Sequence, residues 1–263
     1  MKTRRDYLTI ICTLILICIL LLGIFAPLIT SYNPNTINVA NKFAAPSIHH
    51  LLGTDYLGRD LFTRVIYGSR TTLLLGVVLT IVILVVGIIL GSIAAFFGGW
   101  IDQVIISFCT IFITFPSEML GLIIIAIIGP SFLGVVLAIT LSRWPWYVQM
   151  IRNDINKIIH TNYIQYAKLL GSNKLTIFRK HIIKNIFNSL VVYATLDMGA
   201  LIVSIASLSF LGIGIQAPTA EWGRMLSDAQ ESAMLYPWQI IPAGIAIFTV
   251  TLCLNYIGDA ISK

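Results

Sequence analysis

Apolar and polar positions fall in long blocks along the chain. Six stretches are mostly apolar, at about 8–29, 72–97, 103–128, 132–150, 186–211 and 238–257. Each approaches the ~20 residues that a helix needs to cross a bilayer. Helices are expected because lipid offers the backbone no hydrogen-bond partner. The pattern predicts an all-α integral membrane protein with six transmembrane helices in one domain spanning 1–263. Polar segments at 30–71, 151–185 and 212–237 join the spans. The first apolar run follows Lys2, Arg4 and Arg5, as in a signal peptide. Its length exceeds the ~7–15 residues of a signal core and no A-x-A site follows, so it reads as an uncleaved first helix.

Composition narrows the class further. Hydrophobic residues make up 57% of the chain and charged residues 11%, with a mean hydropathy of +0.91. Soluble domains carry about 25% charge, so a soluble enzyme, a disordered chain and a secreted disulfide scaffold are excluded. The net charge of +6 is not spread evenly. Of 17 Lys and Arg, eleven lie in the N-terminal segment, the 151–184 loop and the C-terminus. Five lie on the opposite side, and Arg143 sits near the inner end of span four. Basic residues favour the cytoplasmic side, which predicts a multi-pass cell-membrane protein with both termini in the cytoplasm. The charge therefore reports orientation, and no basic–aromatic stripe points to nucleic acid. Cys12, Cys18, Cys109 and Cys253 stand singly in apolar runs and form no CxxC pair.

Several residues inside the spans stand out. Gly87, Gly91 and Ala95 recur at i+4, a row that lets helix backbones approach closely. Pro116 is expected to interrupt span three and free the Phe112 carbonyl, and Pro242 to do the same near the start of span six. Glu118, Arg143 and Asp197 are the ionisable residues in the spans, and each is costly there. Asp197, Ala200, Ser204 and Ser207 share a helix face. That stripe reads as a pathway wall or as a polar seam between helices. Glu118, about a turn from Pro116, is a second candidate for the path. Arg143 precedes Trp144, Pro145 and Trp146, which reads as an interfacial anchor.

Chemistry for catalysis is missing. The sequence has no G-x-x-x-x-G-K-[ST] and no H-E-x-x-H, so neither a P-loop nor a zincin site is present. Asp197 and Asp259 raise the idea of a membrane aspartyl protease, but Asp259 lies beyond the last span. No enzyme activity, resident cofactor or metal site is expected.

The 162–185 segment reads as two short helices. Asn162 and Gln165 have capping-box spacing. Tyr163, Tyr166, Ala167 and Leu170 form one apolar and aromatic face, which Gly171 ends. Leu175, Phe178 and Ile182 share a face on the second helix. Such a knob lies on lipid or docks into a groove on a soluble partner. Periodicity alone favours neither.

The stretch Tyr163-Ile-Gln-Tyr-Ala-Lys-Leu-Leu-Gly171, with Ile177-Phe-Arg-Lys-His181-Ile-Ile-Lys-Asn185, resembles the cytoplasmic "EAA" loop of ABC-importer membrane subunits. Ala167, Gly171, His181 and Asn185 match that pattern; the acidic residue, Ala and Pro common near positions 162, 166 and 184 are replaced by Asn, Tyr and Lys. His50-Leu-Leu-Gly-Thr-Asp-Tyr-Leu-Gly-Arg-Asp60 and Ser209-Phe-Leu-Gly-Ile-Gly-Ile-Gln-Ala-Pro218, with Glu221-Trp-Gly-Arg-Met-Leu-Ser227, resemble segments of the dipeptide/oligopeptide/nickel permeases, in particular the "C" subunit.

The resemblance implies an importer-type ABC transmembrane domain. It implies a second permease, two ATP-binding cassette subunits that bind the ATP and Mg, an extracytoplasmic solute-binding protein, and peptides, nickel or metal chelates as cargo. It makes 162–185 the coupling loop, with Tyr163, Tyr166, Ala167, Leu170, Gly171, His181 and Asn185 as its residues. The candidate path residues are Glu118, Asp197, Ser204 and Ser207. The alternative is a membrane scaffold or receptor that docks a cytoplasmic partner without transport. The outer Gly53-Thr-Asp55 and Gly58-Arg-Asp60 read as tight turns within a structural ion network. Trp222, Tyr236 and Trp238 are expected at the outer membrane boundary.

Overall fold

The computed structural model describes residues 2–262. The side chains of residues 2–6, Lys168 and Lys174, and the whole of Lys263, lie outside the described residues, and with them several of the cations that favour the expected orientation. Among the described residues the regular structure is helical, with one isolated bridge between Thr54 and Asp60.

The chain opens with α1 (Lys2–Ile24) and a short α2 (Ala26–Ile29) that carries Pro27 in its first turn. α3 (Leu61–Phe97) starts eleven residues before the expected span. The Asp60 carboxylate caps it by accepting from the Thr63 amide at 2.8 Å, which satisfies one of the orphan donors of a helix start. Its 37 residues give a rod of about 55 Å, longer than a ~30 Å hydrocarbon core. Gly98 and Gly99, both at positive φ, end it.

Span three is not one straight rod. α4 (Gly99–Ile113) and α5 (Ser117–Ile128) meet at 90° across Thr114–Pro116. A proline immediately before α5 stops the first helix and starts the second. The Phe112 carbonyl is not freed, because it accepts from the Phe115 amide at 3.3 Å. Pro242 does not interrupt a helix either. It sits in the first turn of α11 (Ile241–Ile261), where its missing N–H costs nothing.

α6 (Phe132–Ile159) runs well past position 150 and keeps Pro145 inside it. α7 (Asn162–Leu169) follows after a two-residue break. α8 (Lys174–Ile177) passes through a π-helical turn, Phe178–Ile182, into α9 (Ile183–Phe210). The second loop helix and span five are therefore one rod. α10 (Trp222–Ala229) precedes α11.

Among the described residues, four helices are long and apolar enough to cross a membrane, or five if the bent α4–α5 pair counts as one. α6 is long enough at about 42 Å but too polar in its second half to join them.

Close packing follows the glycine row. A Cβ on Gly87 would lie 2.8 Å from Tyr147 Cβ, and one on Gly91 3.0 Å from the Val148 carbonyl oxygen. Hydrogen in place of a side chain lets α3 lie directly on α6. Ile83, Ile125, Val135, Ile139 and Ile205 fill the core where α3, α5, α6 and α9 meet.

Candidate functional site

Three polar constellations break the apolar body, and the first lies inside it. Arg143 on α6 extends toward α9, where Nη1 donates to Asp197 Oδ1 at 2.6 Å. Nη2 donates to Ser204 Oγ at 3.2 Å. The Tyr147 hydroxyl, one turn further along α6, donates to Asp197 Oδ2 at 2.7 Å. Glu118 on α5 approaches Arg143 Nη2 at 3.8 Å. Thus Glu118, Asp197 and Ser204 converge on one guanidinium. Ser207 stands apart: its hydroxyl donates to the Val203 carbonyl at 2.9 Å.

Arg143 therefore carries ion pairs that the anchor reading did not include. A cation in a span must find a carboxylate, and Glu118 and Asp197 are the carboxylates that the spans offer. That pairing was open to the sequence. Tyr147 was not, because nothing in its spacing distinguishes it from a core aromatic. The cluster borders a cavity of about 490 Å³ lined by Pro116, Glu118, Arg143, Trp146, Tyr147 and Asp197. A smaller void of about 50 Å³ continues from Glu118 and Arg143 to Ser204 and Ser207.

The second constellation is the 162–185 loop. Ile164 is fully buried among Ile151, Ile155, Ile159, Ile177, Ile182 and Ile186. This isoleucine cluster fixes α7 on the ends of α6 and α9. Opposite it, Tyr166 is 66% exposed and Leu170 86%. Tyr163 and Leu169 are also exposed, and Ala167 is half-buried. Gly171 has φ +81°, and the Ser172 amide donates to the Ala167 carbonyl at 3.0 Å. This is a left-handed helix stop of the kind glycine favours. The expected capping box does not form. The Gln165 side-chain amide donates to the Ile159 carbonyl at 2.9 Å instead. Asn185 Nδ2 donates to the Tyr163 hydroxyl at 3.1 Å and to the His181 carbonyl at 2.6 Å. The His181 and Tyr163 rings lie 6.0 Å apart. Leu175 is exposed and Ile182 buried, so the second helix does not present its apolar residues on one side alone.

Above α7, Arg152 pairs with Asp102 of α4, and the Tyr193 hydroxyl of α9 donates to Asp154 of α6 at 2.7 Å. Both ties lie between the loop and the Arg143 cluster along α6.

The third constellation is the ion network expected around Gly53-Thr-Asp55 and Gly58-Arg-Asp60. Arg59 Nε donates to Asp55 at 2.6 Å and Nη2 to Asp228 at 2.9 Å. Arg64 lies 3.6 Å from Asp55 and 3.7 Å from Asp228. Arg224 pairs with Asp228 at 2.9 Å. These groups join the loop before α3 to α10, as a structural ion network requires. Gly53 (φ +77°) and Gly58 (φ +73°) make the turns that hold them. Glu221 caps α10 by accepting from the Gly223 and Arg224 amides at 2.9 and 2.8 Å, and Thr72 donates to it at 3.2 Å. Burial holds its carboxyl above the usual carboxylate range despite those donors. Trp222 is not a boundary residue: it is buried, and its indole N–H donates to the Val65 carbonyl at 2.9 Å.

A helical body with apolar helices, an ion-paired cavity within it and an exposed aromatic knob are the features that the family assignment has to accommodate. The chain belongs to the binding-protein-dependent transport system inner membrane component family, which matches residues 87–263, and residues 2–46 match the N-terminal TM domain of oligopeptide transport permease C. It is a permease subunit of an ABC importer, and it is not the ATPase. It is 37% identical over 99% of its length to the dipeptide transport system permease protein DppC of Alkalihalophilus pseudofirmus, covering 86% of that relative. It is 37% identical over 99% of its length to the metal-staphylopine import system permease protein CntC of Staphylococcus aureus, covering 90% of it. The nickel transport system permease protein NikC of Escherichia coli K12 is 34% identical, over 88% of this chain and 83% of NikC. Among solved structures, an inward-facing MetNI methionine ABC transporter matches with a TM-score of 0.60 at 17% identity, over 77% of this chain and 98% of the other. That likeness shows the fold.

Proposed function

We propose that this chain forms, with a second permease, the path by which peptides, nickel or metal chelates cross the membrane after delivery by an extracytoplasmic solute-binding protein. Relatives named for dipeptide, nickel and metal-staphylopine transport support that cargo range. Two ATP-binding cassette subunits drive the cycle. The chain crosses the membrane six times, with α4–α5 as a broken span and α6 as a span shielded by α3, α5 and α9. Both termini and α7 face the cytoplasm, in keeping with the excess of Lys and Arg there.

The observation that carries this reading is the continuity of the rod over Leu175–Phe210. It begins beside the exposed Tyr163–Leu170 face and carries Asp197 about 33 Å further along its axis. In the proposed mechanism Tyr163, Tyr166, Ala167 and Leu170 enter a groove on the ATPase. Gly171 sets the angle between the two loop helices, and Asn185 and His181 clamp Tyr163 to the rod. When ATP closes the ATPase dimer, α7 moves with it. The rod and α6 transmit that movement to Asp197, Arg143 and Glu118, because packed helices shift as bodies. Ser204 and Ser207 continue the polar wall.

The test is reconstitution. Proteoliposomes holding both permeases, both ATPases and the binding protein should take up a labelled dipeptide or a nickel chelate only with ATP inside the ATPase compartment. ATP-independent uptake, or none of either cargo, contradicts the proposal. A complex that docks the ATPase yet moves nothing would favour the scaffold reading.

A further inference from the structure

We infer that the cavity between α5, α6 and α9 is a cation-binding stop for the cargo, with Glu118 as the receiving carboxylate. This rests on the transport role proposed above. Its basis is an unequal use of charge. Asp197 has both oxygens occupied, one by Arg143 at 2.6 Å and one by the Tyr147 hydroxyl at 2.7 Å. Arg143 donates from Nη1 to Asp197 and from Nη2 to Ser204 at 3.2 Å. Those two charges neutralise one another within a hydrogen-bonded pair.

Glu118 is placed differently. Its side chain is 60% exposed, against 13% for Asp197. Its distance to Arg143, 3.8 Å, exceeds a hydrogen bond. Oε2 accepts from the neighbouring Ser117 hydroxyl at 3.1 Å, and Oε1, on the cavity wall, faces Arg143 Nη2 at 3.8 Å without a hydrogen bond. Two carboxylates against one guanidinium leave one negative charge in a space of about 490 Å³. The exposed rings of Phe115 and Trp146 border the same space, and aromatic faces attract cations. A partly enclosed cleft of one sign concentrates ions of the other. The chemistry fits a positive group: the ammonium of a peptide, or a positively charged metal chelate. An anionic group would meet the exposed carboxylate of Glu118 in the same space.

The test uses the assembled importer in lipid nanodiscs without its binding protein. Cys18 is the exposed native cysteine among the four, so Cys18→Ser lowers background labelling. Ile113→Cys then places a thiol on the cavity wall, away from the ion pairs. The rates of a positively and a negatively charged methanethiosulfonate reagent are compared, each relative to its rate on a free thiol peptide. The expected preference for the cation is about tenfold or more at low salt, shrinking at high salt. Glu118→Gln should bring the ratio near one, and Glu118→Lys should reverse it. A ratio near one before substitution, a ratio unmoved by Glu118→Gln, or a thiol that reacts with neither reagent overturns the inference.

Protection from labelling identifies the source of the charge. Glycylleucine should slow the reaction and N-acetylglycylleucine should not, if the group is an ammonium. The cationic 1:1 nickel–histidine complex should slow it instead, if the group is a chelate. Protection by none of them overturns the cargo role. Because labelling needs no ATP and no binding protein, its failure is separable from a failure of uptake.

Discussion

Arg143 Nη1 lies 2.6 Å from Asp197 Oδ1, across the contact between α6 and α9. Each charge alone is costly in an apolar helix contact, and together they form a tie between two helices. Breaking one side of a shielded ion pair costs about 3–5 kcal/mol, much of it from the charge left behind. Asp197→Ala and Arg143→Ala should therefore each lower the thermal midpoint of the purified complex clearly. Asp197→Asn with Arg143→Met should recover a large part of that loss. If Asp197→Ala combined with Arg143→Ala is as unstable as the sum of those two single variants, the residues are not coupled.

The α3–α6 contact gives a second prediction. Gly87 has no room for a Cβ, which would lie 2.8 Å from Tyr147 Cβ. Overpacking costs about 1–3 kcal/mol, against the ~0.5–1 kcal/mol that alanine gains over glycine in a helix. Gly87→Ala should lower stability modestly and Gly87→Leu severely. Gly244, where an added Cβ would meet no atom within 4 Å, should accept alanine without loss. Melting curves of the three variants decide it.

Much of this was legible beforehand because lipid imposes long apolar runs. The six apolar blocks are mainly helical, with breaks at Phe25 and Thr114–Pro116, and Gly87, Gly91 and Gly171 act as the sequence implies. The helix ends depart from expectation where capping and packing decide. Asp60 caps α3 far upstream of its apolar run, which hydropathy does not register. Pro242 starts a helix rather than breaking one, since the first turn needs no proline N–H. The Arg143 site was legible only in part, as the charges inside the apolar runs. Its residues come from positions 118, 143, 147 and 197, and no local pattern pairs them. The π-helical turn at Phe178–Ile182 leaves no signal in the apolar periodicity.

Glu221 yields a prediction in pH. Its carboxyl is held above the usual range by burial, so folding favours the protonated form. The stabilisation is complete below the ordinary carboxylate pKa and is lost as pH rises through the raised value. Glu221→Gln removes the titration. The melting temperature of the wild type minus that of the variant should be smaller at pH 8 than at pH 5. A difference that grows with pH would mean that the amide donors of α10 outweigh burial.

Gly171 separates backbone strain from crowding. Its φ is +81°, and a Cβ added there would meet no atom within 4 Å. Any loss on substitution must come from the backbone, at about 1–3 kcal/mol for a poorly tolerated conformation. Gly171→Val should reduce ATPase stimulation by loaded binding protein, while Gly171→Asn, which tolerates the left-handed region better, should be milder. Equal activity of both variants would show that the turn does not set the angle of α7.

The central claim is that the exposed face of α7 is the surface that meets the ATPase. Tyr166 and Leu170 are 66% and 86% exposed, so an acidic residue at either costs the isolated permease little. In an apolar groove the same charge is costly without a partner. The most direct measurement is copurification of the ATPase with permease carrying Leu170→Asp or Tyr166→Asp, with uptake assayed in parallel. The account predicts that the permease still inserts and pairs with its partner permease, while the ATPase is lost and uptake falls to background. Retention of the ATPase with normal uptake would contradict it and leave α7 as a helix lying on the lipid surface.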